Sequence, residues 1–134
     1  MEAEAAVALL HAKAAHSVLL MRRAEREDDS WSGHWSLPGG RWEPADVDLL
    51  QTALRELQEE CGIRLGRAEL ATALPYRMVG RRVGRFFLVA PFVFHVEDEY
   101  ATILDPLEAA HAEWLPLHLL RDVSRHRLRT VPNG

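Results

Sequence analysis

The chain of 134 residues is long enough for one hydrophobic core and too short for two. With 48% apolar and 27% charged residues it has the composition of an ordinary folded domain, which excludes wholesale disorder. Its 20 acidic and 16 basic residues leave a formal charge of −4, which argues against a protein built to grip a nucleic-acid backbone.

The single cysteine, Cys61, rules out an internal disulfide and suits a reducing compartment. No apolar run nears the roughly 18 residues needed to span a bilayer. The start, MEAEAAVALLHAKAAH, carries acids where a signal peptide carries positive charge. The expectation is a cytoplasmic protein, one domain over residues 1–134, with no membrane and no nucleic-acid polymer as partner.

In chain order, residues 5–23 allow two readings. Their alanine content favours a helix. The apolar runs AVALL and SVLLM around a short polar stretch favour a hairpin of buried strands. EREDDSWSGHWS is a polar loop studded with aromatics, and LPGGRWEPAD, with Gly-Gly between two prolines, is loop and turn. From about Asp48 to Cys61 the residues Leu50, Ala53, Leu54, Leu57 and Cys61 recur at helical spacing and form one apolar stripe. Asp46 or Asp48 can cap this helix, and Gly62 suits the left-handed residue after its last turn. AELATALPYRM and RRVGRFFLVAPFVFHV read as strands, with Gly80 and Gly84 at bends. EWLPLHLLRDV reads as a short strand passing through Pro116 into a final helix, and SRHRLRTVPNG shows no core-forming pattern. The mixture predicts an α+β fold or an α/β/α sandwich, with helices packed on a mixed sheet.

Within RELQEECGI three glutamates crowd one helical face. With Leu50 at zero and about 100° per residue, Glu56, Glu59 and Glu60 fall near 240°, 180° and 280°. That face looks away from the core, and like charges at these spacings disfavour a helix by a few tenths of a kcal/mol per pair. Arg55, four residues before Glu59, can hold that carboxylate. The bland account is a solvated acidic face. The sharper one is a site for a hard cation such as Mg²⁺, which takes carboxylate and phosphate oxygens. The glutamates alone do not decide between the two.

LPGGRWEPAD followed by RELQEECGI resembles the Nudix hydrolase signature, in which a glycine loop and a glutamate precede R-E-apolar-x-E-E-x-G-apolar. Arg55, Glu56, Leu57, Glu59, Glu60, Gly62 and Ile63 match its second half without a miss, and Gly39 and Gly40 supply the loop. The resemblance implies an α/β/α sandwich with a mixed central sheet and a loop–helix–loop that holds Mg²⁺ or Mn²⁺. It implies hydrolysis of a diphosphate in a small molecule, and it leaves room for a homodimer. By motif position Glu56, Glu59 and Glu60 are the metal-binding carboxylates, the Gly40 carbonyl is a further ligand, and Arg55 orients a glutamate. The resemblance implies a general base that is either a motif glutamate or an acid from a later loop, with Glu56 the first candidate and Glu108 and Glu113 behind it.

Two departures stand out. The acid expected after the glycine loop is Asp46 rather than Glu, and eight residues rather than seven separate it from Arg55. GGRWEPADVDLLQTALREL, with LLMRRA and GHWSLPGG upstream, resembles the subgroup of Nudix enzymes that cleave coenzyme A. Leu37 stands there for that motif's Phe, and Asp28 and Asp29 occupy the place of its arginine. VAPFVFHV and EAAHAEWLPL resemble that subgroup's later segments. The implied substrate is coenzyme A or its thioesters. The alternatives are a nucleoside triphosphate or a nucleoside diphosphate derivative, and, in another class, a non-catalytic ligand-binding module.

Outside the motif, Arg23 is either a contact for substrate phosphate or a strand-end surface charge. Trp31, Trp35 and Trp42 flank the glycine loop, where they can stack on a base or simply pack. Glu108 precedes a predicted strand and is a candidate to complete the metal site or touch substrate. His34 reads as a surface residue, Cys61 as buried and inert. Arg81, Arg82 and Arg85 suit either a phosphate-meeting loop or a solvated hairpin.

Overall fold

Alanine is not acting as a helix former near the start of the chain. In the computed structural model, which describes residues 3–23, 35–80 and 86–119, Ala5–Ala12 is strand β1 and Ser17–Arg23 is strand β2. They form a hairpin whose turn ends at His16, with φ 50°. Ala6, Ala8, Leu10 and Ala12 point to one face of the sheet and are wholly buried. The small side chains let a helix lie close against the strand, which is what decides between the two readings of this segment.

β1 runs parallel to the long strand β7, Phe86–Val96, and every other pairing among the described residues is antiparallel. β1 and β2 share only the register pairs His11–Val18 and Ala12–Ser17, then part. Two short strands fill the gap. β3, Trp35–Ser36, pairs with β2, and β4, Gly39–Arg41, pairs with β1, with buried Pro38 between them. The Gly-Gly segment, expected as loop and turn, is thus a strand in the middle of the sheet.

Helix α1, Leu49–Cys61, matches the predicted span. The Asp48 carboxylate accepts from the Gln51 amide at 2.9 Å, and Gly62 stops the helix at φ 71°. Leu50, Ala53, Leu57 and Cys61 are buried in the core beneath the helix, which lies chiefly over β1, with Leu54 packed on the edge of that core. A 3₁₀ turn at Arg67–Glu69 leads to β5, Leu70–Ala73, and β6, Arg77–Gly80. Both pair with β7, Phe86–Val96, on the edge away from β1. β8, Ala109–Pro116, pairs along the whole of β2, and residues 117–119 continue as a helical turn. The rest of the predicted final helix and the tail lie outside the described residues. The mixed sheet with α1 on one face is the α+β arrangement expected of the sandwich. No helix among the described residues is long and apolar enough to cross a membrane.

Candidate functional site

The site lies where β4 crosses beneath α1. Close approach is possible because β4 begins with two glycines. A Cβ on Gly39 would strike the Ala6 carbonyl and stand 2.8 Å from Val7 Cα. A Cβ on Gly40 would enter the Glu56 carboxylate, standing 2.5 Å from its Cδ. The helix can therefore lay its acidic flank on bare backbone.

This packing overturns the expectation that all three glutamates face away from the core. Glu60 is only 1% exposed, while the side chains of Glu56 and Glu59 are 14% and 55% exposed. Glu60 sits about 80° from Leu50 on the helix, at the border of the apolar stripe, and β4 covers that border. The Gly39 amide donates to Glu60 Oε1 at 2.9 Å, and Arg23 Nη1 stands 3.9 Å from Oε2.

Arg55 organises the other side. It meets Glu59 Oε1 at 3.2 Å, as its spacing implied, and Glu56 Oε2 at 3.1 Å. It also donates to the Arg41 carbonyl at 3.0 Å and grips Asp46 through Nε and Nη2. Asp46 is buried and also accepts from the Thr52 hydroxyl and the Glu43 amide. Its carboxyl is pulled down to about 2, chiefly by the Arg55 hydrogen bonds. The turn at Glu43–Asp46, closed by the Asp46 amide donating to the Glu43 carbonyl, delivers Asp46 to the start of the helix. Asp48 is left to cap the helix. Asp46 therefore serves Arg55, a role that its pairing with Thr52, one helical turn before Arg55, could have suggested.

A fourth carboxylate arrives from a distant segment. Ile103 N–H donates to the Cys61 carbonyl at 2.8 Å and Asp105 N–H reaches the Glu60 carbonyl at 3.5 Å, so residues 103–105 dock on the last turn of α1. Ile103 covers Gly62, where a Cβ would stand 2.7 Å from its carbonyl oxygen. A turn closed on Asp105 by the amides of Leu107, Glu108 and Ala109 then brings Glu108 to the acids. Its negative charge is felt at both Glu56 and Glu60.

Burial and this mutual repulsion raise two carboxyls far above the usual range. Glu60 is pushed to about 8, first by burial and then by Glu56. Glu56 is pushed to about 7, first by burial, with Arg55 opposing and Glu59 adding to the rise. Cys61, wholly buried beside them, is pushed to about 12 and is inert, as expected.

Among the described residues no three His, Cys, Asp or Glu side chains are already gathered around one point as metal ligands, and Glu59 is turned to Arg55. The donor chemistry nevertheless fits a hard divalent cation. The groups are all carboxylate oxygens, they repel one another, and the absent Cβ of Gly40 leaves backbone open beside Glu56.

The remaining predicted residues divide. Trp42 is 46% exposed and anchored by its Nε1–H to the Asp46 carbonyl at 3.2 Å, so its ring borders the glycine strand. Trp35 packs edge-on against His111 at 5.6 Å. Glu113 pairs with His111 and lies opposite Leu20, on the sheet face away from α1, which takes it out of the acid cluster. Trp31, His34, Arg81, Arg82 and Arg85 lie outside the described residues.

The sequence model of the NUDIX domain matches residues 1–132. An uncharacterised protein of Schizosaccharomyces pombe is 39% identical over 104 residues, which cover 75% of this chain and 32% of that protein. The mitochondrial coenzyme A diphosphatase of Homo sapiens is 39% identical over 57 residues, covering 42% of this chain and 24% of that protein. The chain thus spans about a third or less of these two relatives. The crystal structure of a NUDIX hydrolase from Alicyclobacillus acidocaldarius superposes with a TM-score of 0.74 over 97% of this chain and 84% of that one. At 19% identity that likeness shows the fold alone.

Proposed function

The chain belongs to the Nudix family, and from that premise we propose that it hydrolyses a diphosphate linkage in a small molecule with the help of Mg²⁺ or Mn²⁺. The observation that carries this reading is the buried Glu60 and half-buried Glu56 packed against a glycine strand, with Arg55 fixed beside them.

Glu56, Glu59 and Glu60, with the Gly40 carbonyl, are the groups that would hold the cation, which neutralises the diphosphate and activates the attacking water. Arg55 is the positioning residue. Its guanidinium is committed to Asp46 on one side and to Glu56 and Glu59 on the other, so it aims carboxylates and does not reach for substrate. Glu56 is the general base. It is partly open to solvent, where a water can reach it, and Arg55 fixes its orientation. Glu60, sealed from solvent, would carry its charge as a ligand of the bound cation. Glu108 stands as an added acid at the rim.

Coenzyme A or a thioester of it is the leading substrate. The segments from Gly39 to Leu57 and from Leu19 to Ala24 support this, as does likeness to a coenzyme A diphosphatase over 57 residues. A nucleotide substrate is the second reading, favoured by the exposed Trp42 ring beside the glycine strand, which is placed to stack on a base.

The test is product release from a panel with Mg²⁺, Mn²⁺ or chelator. The panel holds coenzyme A, acetyl-coenzyme A, sugar nucleotides, dinucleoside polyphosphates and nucleoside triphosphates. Chelator-sensitive cleavage fastest on coenzyme A is expected. Faster turnover of a nucleotide selects the second reading, and no turnover of any substrate favours a non-catalytic ligand-binding module.

A further inference from the structure

A groove of about 340 Å³ lies between the outer flank of α1 and the segment that follows the helix. Gln51 and Gln58 line it from the helix, two turns or about 10 Å apart along the axis. With Leu50 at zero they fall near 100° and 80°, on the opposite flank from Glu56 and Glu60 at about 240° and 280°. The helix therefore separates this groove from the acid cluster. Leu54, between the two glutamines, and Leu65 give the groove an apolar lining. Neither glutamine carboxamide has a hydrogen bond among the described residues. Arg55 borders the groove, but its guanidinium is committed to Asp46, Glu56, Glu59 and the Arg41 carbonyl. Arg67 is different. Its Nη2 donates to Asp48 Oδ1 at 2.7 Å in a half-exposed pair, and its other guanidinium N–H groups have no partner among the described residues. Beside it, Gly66 has φ −103°, which any residue adopts, and an added Cβ would meet nothing nearer than Glu69 Oε1 at 3.4 Å. Neither backbone nor packing requires glycine there. Its missing side chain keeps the wall of the groove open.

We propose that this groove binds a nucleoside monophosphate, at a site separate from the acid cluster. Its volume falls in the range of small-molecule sites, roughly 300–1,000 Å³. Leu54 and Leu65 offer apolar contact to a base, and a carboxamide, which both donates and accepts, matches a base edge. The free N–H groups of Arg67 suit a phosphate. The base lies towards Gln58, and the phosphate lies towards Gln51 and Arg67. Asp48 does not prevent this, because a half-exposed ion pair is worth only about 1 kcal/mol or less and occupies one nitrogen of the guanidinium. No group of the proposed cation site takes part, so binding needs no metal.

The test is calorimetric titration with AMP in chelator, which keeps divalent cations from the acid cluster, on the wild-type chain, R67M, Q58L, G66V and E60Q. Wild type is expected to bind AMP saturably. R67M is expected to bind it about tenfold more weakly, through loss of a charge-assisted hydrogen bond. Q58L is expected to bind it several-fold more weakly, and G66V, whose side chain enters the groove, to lose binding. E60Q, altered on the other flank of the helix, is expected to match wild type. Ribose 5-phosphate and adenosine, which each carry half of the ligand, are expected to bind wild type at least about tenfold more weakly than AMP. Arg67 and Gln58 are exposed, so R67M and Q58L leave the core untouched. Absence of saturable AMP binding by folded wild type would overturn the proposal, as would unchanged binding by R67M and Q58L or loss of binding in E60Q. Ribose 5-phosphate bound as tightly as AMP would reduce the groove to an anion contact and overturn the nucleotide assignment.

Discussion

Asp46 and Arg55 form a two-point ion pair across the helix entry, with Nε to Oδ1 at 2.9 Å and Nη2 to Oδ2 at 3.0 Å. The Asp46 side chain is 3% exposed and that of Arg55 18%, so neither group has water to fall back on. The pair connects the turn after β4 to the two glutamates that Arg55 holds. Asp46→Ala is expected to lower stability by about 3 kcal/mol, because it leaves the guanidinium partly buried and uncompensated. Thr52→Val, which removes one hydrogen bond to Asp46, is expected to lower it by about 1 kcal/mol. Urea unfolding measures both. If Asp46→Ala were as stable as wild type, the ion pair would have no structural weight.

The same pair sets an acid limit. Asp46 is lowered from 3.8 to about 2, so the stabilisation it provides is complete above pH 3.8 and is lost as pH falls through about 2. Its full value is about 2 kcal/mol. In the Asp46→Asn variant the decline in stability between pH 4 and pH 2 is expected to be shallower than in wild type, as read from urea midpoints.

Much of this site was legible in the chain, but unevenly. The stripe from Leu50 to Cys61, the Asp48 cap and the Gly62 stop are local signals with a helical period, and the helix follows them. The hairpin of residues 5–23 was not decided locally, since alanine suits both a helix and a strand that a helix must approach closely. The burial of Glu60 was illegible for a related reason. A helical wheel shows which flank a residue occupies, but not that a glycine strand will cover that flank. Glu108 joins the acids only because Ile103 and Asp105 dock on the carbonyls of Cys61 and Glu60 across some forty residues of chain. Asp46 was recognisable as a departure from the signature. Its service to Arg55 depends on the turn at Glu43–Asp46, which sets its carboxylate against the guanidinium.

Stability of the cation-free protein should fall as pH rises. Glu56 and Glu60 are raised to about 7 and about 8, whereas in the unfolded chain both ionise near 4.5. The folded state therefore binds more protons between these values, and ∂ΔG/∂pH of unfolding is negative. The stability tied to these groups is complete below about pH 4.5 and lost as pH passes through 7 and 8. Melting temperature in chelator is expected to drop from pH 5.5 to pH 8.5, and Mg²⁺ or Mn²⁺ is expected to restore more at pH 8.5. A melting temperature in chelator that is flat or rises over this range would contradict the burial of these two acids.

The two glycines of β4 separate by what they touch. Gly40→Ala drives a methyl group into the Glu56 carboxylate, the movable end of a side chain. The fold is expected to survive and the carboxylate to shift, with turnover falling about 100-fold, the scale on which misplaced catalytic groups act. Gly39→Ala meets the backbone of Ala6 and Val7, which cannot shift without breaking the β1–β4 pairing. Its effect is expected first on stability, by about 2 kcal/mol. Thermal melting and steady-state turnover of the two variants, side by side, distinguish the sites.

Glu60→Gln tests the charge of the buried acid apart from its shape. Glutamine keeps a carbonyl oxygen for the Gly39 amide, so the strand–helix contact persists. It removes a carboxylate that burial and Glu56 disfavour, so at pH 8.5 in chelator the variant is expected to melt higher than wild type. It also removes a ligand of the proposed cation, and turnover is expected to fall by about two to three orders of magnitude. Stabilisation with loss of activity in one substitution means that the charge is kept for chemistry and not for folding. Near-normal turnover in a folded Glu60→Gln protein would show that the buried carboxylate does not serve hydrolysis, and a lower melting temperature would show that its charge is already neutralised by Arg23.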